Sequence, residues 1–157
     1  MIKFHFVFDK TEKSQNLKKK FFKKYINHNI KHSDVIIVAG GDGYMLNTLK
    51  RYVKFKKPFY GINCGTYGFL MNKYTPDNLE KKIVKAKKII INPLEITNLN
   101  KKVPKKPIIA INEVSLFRQT KQTAYLKLKI KKKVIIKKLV GDGILISTPA
   151  GSTAYNL

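Results

Sequence analysis

The sequence predicts an α/β N-terminal domain built on a parallel sheet, followed by a short, incomplete all-β second domain. Three observations predict it. Over the first 90 residues, short apolar runs alternate with amphipathic stretches of helical spacing, the pattern of parallel β-α-β units. Beyond that point the helical spacing stops, and strand-like runs follow one another through lysine-rich or proline-marked turns. The 157 residues suffice for one domain and part of a second, so the division falls at 1–90 and 91–157.

The elements follow in order. Residues 2–8 alternate weakly and read as the first strand. Residues 11–28 carry Leu17, Phe21 and Tyr25 at four-residue spacing, a helix with lysines on its outer face. The run at 35–39 is a buried strand, ended by Gly40-Gly41-Asp42-Gly43. A helix over 44–54 then places Met45, Leu46, Leu49 and Val53 on one face. Residues 58–63 form a third strand, and Thr75-Pro76-Asp77 opens a helix that runs to about Lys88. In the second unit the strands are expected at 89–96, 108–118, 123–130, 134–140 and 144–147. With so few strands, that unit leaves an apolar face and an edge in water.

Composition narrows the function. No apolar run is long enough to span a bilayer, and residues 1–8 lack the features of a secretory signal. The single cysteine, Cys64, cannot form an internal disulfide, which points to the cytoplasm. Net charge is +24, a value that ordinarily directs attention to nucleic acid or anionic membrane. Yet 31 residues are Lys and only two, Arg51 and Arg118, are Arg, whereas sequence readers rely on arginine's planar fork. Lys, Ile, Asn, Phe and Tyr, all with AT-rich codons, supply 79 of the 157 residues. The lysine therefore reads as compositional drift on solvated faces, with no specific nucleic-acid partner and no membrane. The nine acids carry more information by being rare.

Four segments could carry chemistry. Gly40-Gly41-Asp42-Gly43 sits where a parallel strand gives way to a helix, the place where such folds bind ligands. Backbone amides there can approach phosphate, and an aspartate among them suits a metal-side ligand or a base in phosphoryl transfer. The same residues also fit a tight turn with a capping Asp. They match neither the Walker A loop nor the Rossmann fingerprint. Gly65-Thr66-Tyr67-Gly68-Phe69-Leu70 reads as a glycine turn with Phe69 and Leu70 in the core. Asn112-Glu113 interrupts an apolar strand; buried, the pair needs partners such as ligand hydroxyls, and at a solvent-facing strand end it needs none. Gly141-Asp142-Gly143 reads as a hairpin turn, and Ser152 or Thr153 as a helix cap. In that last block Tyr155 also offers a flat face and Asn156 a bidentate edge to a base.

Taken together, GGDGYML, GTYGFLMN, NEVSLFR and GDGILISTPAGSTAYN resemble the signature segments of the NAD kinase family, in family order. The resemblance implies an NAD kinase-like fold, an α/β domain and a β-rich domain with the site in the crevice between them. It implies phosphorylation of the 2′-hydroxyl of the adenosine ribose of NAD by ATP, giving NADP. Asp42 would take the hydroxyl proton, while Gly41 and Gly43 would leave room for the ATP phosphates. Mg²⁺ or another divalent metal would offset their charge, with no residue of this chain assigned to it. Asn112 and Glu113 would hold ribose hydroxyls. Thr153, Ala154 and Tyr155 would form the adenine pocket, lined further by Ala150, Asn156 and Leu157. Asp142 would reach the nicotinamide half, and a homo-oligomer is implied because the family's site borrows residues from a neighbouring subunit.

Three departures qualify the match. Val140 stands where relatives commonly carry a basic or polar residue, Ala150 replaces a frequent Thr, and family members are much longer, so the chain resembles an N-terminal portion. Two other readings compete with it. A related lipid kinase shares only the GGDG element, and an inactive basic fragment would bind anionic partners through lysine alone.

Overall fold

The computed structural model describes residues 1–76, 78–99 and 107–152. The chain divides into two compact units, Met1–Ile89 and Ile90–Leu157.

The first unit is built on a three-stranded parallel sheet, ordered β1 (Phe4–Phe8), β2 (Val35–Gly40), β3 (Phe59–Asn63). Phe6 stands opposite Ile37, and Ile37 opposite Tyr60. Every residue of β2 is buried, which explains why its sequence is continuously apolar instead of alternating: it is covered on both faces. Successive side chains point to opposite faces. Val35, Ile37 and Ala39 join Phe4, Phe6 and Ile62 against α1 (Glu12–Phe22) and α3 (Leu79–Lys85), through Leu17, Phe21 and Leu79. Ile36 and Val38 pack instead on Met45 of α2 (Asp42–Tyr52).

The helices therefore lie on opposite faces, although the strand order follows the sequence. The segment after α1 makes this possible by passing around the outer edge of β1. There His28 N–H donates to the Phe4 carbonyl (2.8 Å), and the Asn27 side chain accepts from Phe6 N–H (2.9 Å). Tyr25 still packs with Phe21, whereas Ile30 already belongs to the cluster on the α2 side. This corrects the expected helix over 11–28. It ends at Phe22 because the following residues supply hydrogen-bond partners to an otherwise bare strand edge.

Two other helices shift. The third begins at Leu79, because the Asn78 side chain caps Glu80 N–H (2.9 Å), and it ends at Lys85, short of Lys88. Asp77, expected in its first turn, lies outside the described residues. The buried face of α2 runs through Met45 and Thr48, and Val53, expected there, is exposed in a short 3-10 turn beyond the helix.

The second unit contains antiparallel pairs: β4 (Leu94–Ile96) with β5 (Ile108–Ala110), β6 (Glu113–Phe117) with β9 (Gly143–Ser147), and β7 (Ala124–Ile130) with β8 (Lys133–Gly141). The strand expected over 89–96 shortens to β4, which matches the three-residue length of its partner. The strand expected over 108–118 breaks at Ile111-Asn112, where both carbonyls turn to Thr148 (2.7 Å each). Residues 141–143 are not a hairpin turn, because β8 and β9 pair with different strands. Ile108, Leu116, Phe117, Ile130, Ile135 and Ile146 remain exposed, so the unit does present apolar side chains to water. Among the described residues no helix is long and apolar enough to cross a membrane.

A two-residue turn, Lys131-Lys132, joins β7 to β8, with φ of 47° and 69°. Both lie in the left-handed region that such hairpins normally assign to Asn-Gly. Replacing the pair by Asn-Gly removes that strain, and the urea midpoint of the chain should rise by an amount worth about 1 kcal/mol. An unchanged midpoint would mean that this hairpin does not limit stability.

Candidate functional site

The first cluster of candidate residues lies at the carboxyl ends of β2 and β3. Helix α2 begins at Asp42, with Gly41 as its N-cap, so Asp42 and Gly43 belong to the first helical turn instead of a loop before Tyr44. The orphan N–H groups of that turn and the helix dipole favour an anion. Space is available, since nothing lies within 4 Å of where a Cβ on Gly41 or Gly43 would stand. Asp9 closes β1 on the same edge, where its carboxylate accepts from Thr11 N–H (3.0 Å) and Thr11 Oγ1 (2.5 Å).

The Asp42 carboxylate is held from the opposite side. Phe69 N–H donates to Oδ2 (2.7 Å) and Leu70 N–H to Oδ1 (3.0 Å). Each oxygen keeps acceptor capacity for a further donor. Two backbone donors fix the plane of the group without occupying the helix start. Gly68 permits this approach, because a Cβ there would fall 3.0 Å from Asp42 Oδ1 and 3.1 Å from Met71 Cβ.

The 65–70 segment differs from its sequence reading. Leu70 is half-buried and packs on the cluster beneath α2, but Phe69 is 94% exposed and Tyr67 89%. Phe69 is thus not a core residue. Its backbone is held at Asp42 while its ring is left free, and sequence reasoning missed it. The available signal was the glycine on either side of Thr66-Tyr67, which shortens the turn too much to bury every apolar side chain after it.

Two nearby groups stay neutral. Burial pushes the Cys64 thiol up, with Asp9 adding to the effect and a Ser14 hydrogen bond opposing it. Burial likewise raises Tyr44, whose hydroxyl donates to the Phe8 carbonyl (2.7 Å). Neither is placed to act as a nucleophile near neutral pH.

A second cluster lies in the β unit, at the break between β5 and β6. Thr148 binds the Ile111 and Asn112 carbonyls, and Gly151 N–H returns to the Thr148 carbonyl (3.0 Å). These bonds fasten the turn that contains Ala150 against Asn112. Gly151 is required, since a Cβ there would lie 2.3 Å from the Asn112 carbonyl oxygen. Asn112 Oδ1 and Glu113 Oε2 are buried, with no hydrogen-bond partner among the described residues. An orphaned buried acceptor is costly, and here two belong to consecutive residues. Asp142 is the bend between β8 and β9, and its carboxylate pairs with Arg118. Thr153, Ala154, Tyr155, Asn156 and Leu157 lie outside the described residues.

The first unit thus presents an open, glycine-framed helix start with a fixed carboxylate, and the second presents two buried side-chain acceptors with no hydrogen-bond partner among the described residues. Residues 2–88 match the description of the ATP-NAD kinase N-terminal domain, and the chain belongs to that family. It is 42% identical over 149 residues to the NAD kinase of Zymomonas mobilis, covering 94% of this chain and 58% of that one. Against the NAD kinase of Brucella suis the identity is 41% over 153 residues, covering 98% and 60%. Against that of Xylella fastidiosa it is 40% over 151 residues, covering 96% and 58%. The chain therefore spans about three-fifths of the length of these relatives and is a partial, N-terminal match to them.

The Asp42 clamp makes a direct prediction. Gly68→Ala should push the loop off the carboxylate, so the Phe69 and Leu70 amides lose protection in hydrogen exchange while those of β2 keep theirs. Overpacking of this kind costs about 1–3 kcal/mol. Unaltered protection at both amides would show that the clamp does not depend on Gly68.

Proposed function

We propose that this chain serves the activity named for its relatives: phosphorylation of NAD to NADP with ATP as donor. The 2′-hydroxyl of the adenosine ribose loses its proton to Asp42, and its oxygen bonds to the γ-phosphorus. The bond from that phosphorus to the β–γ bridging oxygen breaks, and ADP leaves. The observation that carries the reading is the orphaned pair Asn112 Oδ1 and Glu113 Oε2, buried acceptors that a diol of ribose would satisfy with two O–H donors.

The remaining roles follow the same reading. Amides of the Gly41–Gly43 turn receive ATP phosphates, and Asp42 keeps acceptor capacity for the ribose hydroxyl while the Phe69 and Leu70 amides hold its plane. Mg²⁺ or a similar divalent ion, bound mainly through ATP phosphates and water, would offset their charge. Among the described residues no three His, Cys, Asp or Glu side chains come together to hold it. Ala150 contributes from its fastened turn, Thr153, Ala154, Tyr155, Asn156 and Leu157 receive the adenine, and Asp142 serves the nicotinamide half. We place the protein in the cytoplasm as a homo-oligomer. A lipid-kinase acceptor would leave the Asn112–Glu113 pair without its donors, and a basic fragment would leave the Asp42 clamp without a task.

Two variants test the reading on the purified chain. Asp42→Asn should abolish NADP formation from NAD and Mg·ATP while NAD binding in calorimetry persists, because the amide takes no proton and gives up only one of the two clamping N–H bonds. Turnover equal to the parent would remove Asp42 from the proton transfer. Glu113→Gln should weaken NAD binding about tenfold or more, the scale of a lost charge-assisted hydrogen bond. Its melting temperature should not fall, since Oε2 gives up no partner among the described residues. Loss of stability without loss of affinity would make Glu113 a structural residue.

A further inference from the structure

Asp142 lies where the chain leaves the β7–β8 ladder and enters the β6–β9 ladder. Arg118 follows the last residue of β6, holds that bend by two bonds and is itself braced by a third. Its backbone N–H donates to the Asp142 carbonyl (2.9 Å), its Nε donates to Asp142 Oδ1 (2.5 Å), and its Nη1 donates to the Thr120 carbonyl. A single residue thus fixes both the main chain and the carboxylate of Asp142. Among the described residues no hydrogen bond reaches the other carboxylate oxygen, Oδ2.

Stability does not explain the arrangement. The side chains of Arg118 and Asp142 are 32% and 72% exposed, and ion pairs so open to water contribute little to folding. Composition sharpens the point. A chain with 31 lysines keeps only two arginines, so a position that needed charge alone would be expected to carry Lys. At Arg118 the planar guanidinium is used as such: it spreads two donors of its fork between a carboxylate and a carbonyl. A lysine ammonium is a point charge on a flexible stem and cannot reproduce that fork.

We infer that Arg118 is a positioning residue: its guanidinium holds the Asp142 carboxylate in the orientation in which Oδ2 receives the nicotinamide half of the dinucleotide. The inference rests on the NAD-site reading above. It adds a residue outside the ligand contacts and assigns it to one end of the ligand. Arg118 therefore controls affinity for the nicotinamide end and leaves the adenosine end untouched.

The test is calorimetric titration of the full chain with NAD and, separately, with ADP-ribose, which lacks nicotinamide, for the parent, Arg118→Lys and Arg118→Ala. The parent should prefer NAD. Both variants should lose about tenfold in NAD affinity, the scale of a disordered charge-assisted contact, with ADP-ribose affinity within twofold and melting temperature unchanged. Parental NAD affinity in Arg118→Lys would show that charge alone suffices and overturn the positioning role. Equal weakening of both ligands would make Arg118 structural, and equal parental affinity for the two would remove Asp142 from the nicotinamide end. Failure of the parent to bind either ligand would instead overturn the dinucleotide reading, and this inference with it.

Discussion

The burial of β2 on both faces is the constraint from which the N-terminal unit follows. A strand covered on each side by helices must be apolar throughout, and its hydrogen-bonding groups must be satisfied by neighbours in the sheet. Its chain can turn polar only where it leaves the sheet, at Gly40 and Gly41. Asp42 is the first side chain that can be charged there, and the helix that it opens is the one that covers Ile36 and Val38. The position of the candidate base is thus a consequence of core packing. The loop after β3 then closes on the same point, because Leu70 buries under α2 and draws the Phe69 and Leu70 amides onto the carboxylate.

The second unit rests on a different balance. Its buried apolar side chains among the described residues are few, Ala110 and Ile111 foremost, and many of its larger ones are exposed. Hydrogen bonds do the organising instead. Thr148 ties the end of β9 to the break between β5 and β6, and at that break Asn112 Oδ1 and Glu113 Oε2 are buried with no hydrogen-bond partner among the described residues. A unit with so little core gains nothing in stability from orphaned acceptors.

Legibility in the sequence followed the strength of local signals. The three parallel strands, the α2 position and the antiparallel character of the second unit were readable because periodicity and glycine punctuation agree at those places. The early end of α1 was not, since Tyr25 continues the four-residue spacing and only a bare strand edge, invisible locally, recruits Asn27 and His28. The break at Ile111-Asn112 was hidden for the same reason, its cause being Thr148, distant in sequence. Of the candidate site, Asp42, Asn112 and Glu113 were legible as residue types out of place. The exposure of Phe69 was not, because an apolar residue after a glycine turn reads as core.

The rarity of acid groups helps to separate structure from chemistry. Lys and Asn have AT-rich codons and can spread through such a chain by drift, whereas an acid that persists among 33 basic residues invites an explanation. Local structure supplies one for several. Asp34 accepts from Lys3 N–H, Asp9 from Thr11, and Glu12 and Glu80 lie in the first turns of their helices, where negative charge is favoured. Glu95 is exposed on β4 and Asp77 lies outside the described residues, which leaves Asp42, Glu113 and Asp142. The first is held by amides at an open helix start, the second keeps a buried oxygen with no hydrogen-bond partner among the described residues, and the third is oriented by one of two arginines. Accounting for the ordinary acids first leaves three, and all three lie in the segments that resemble those of NAD kinases.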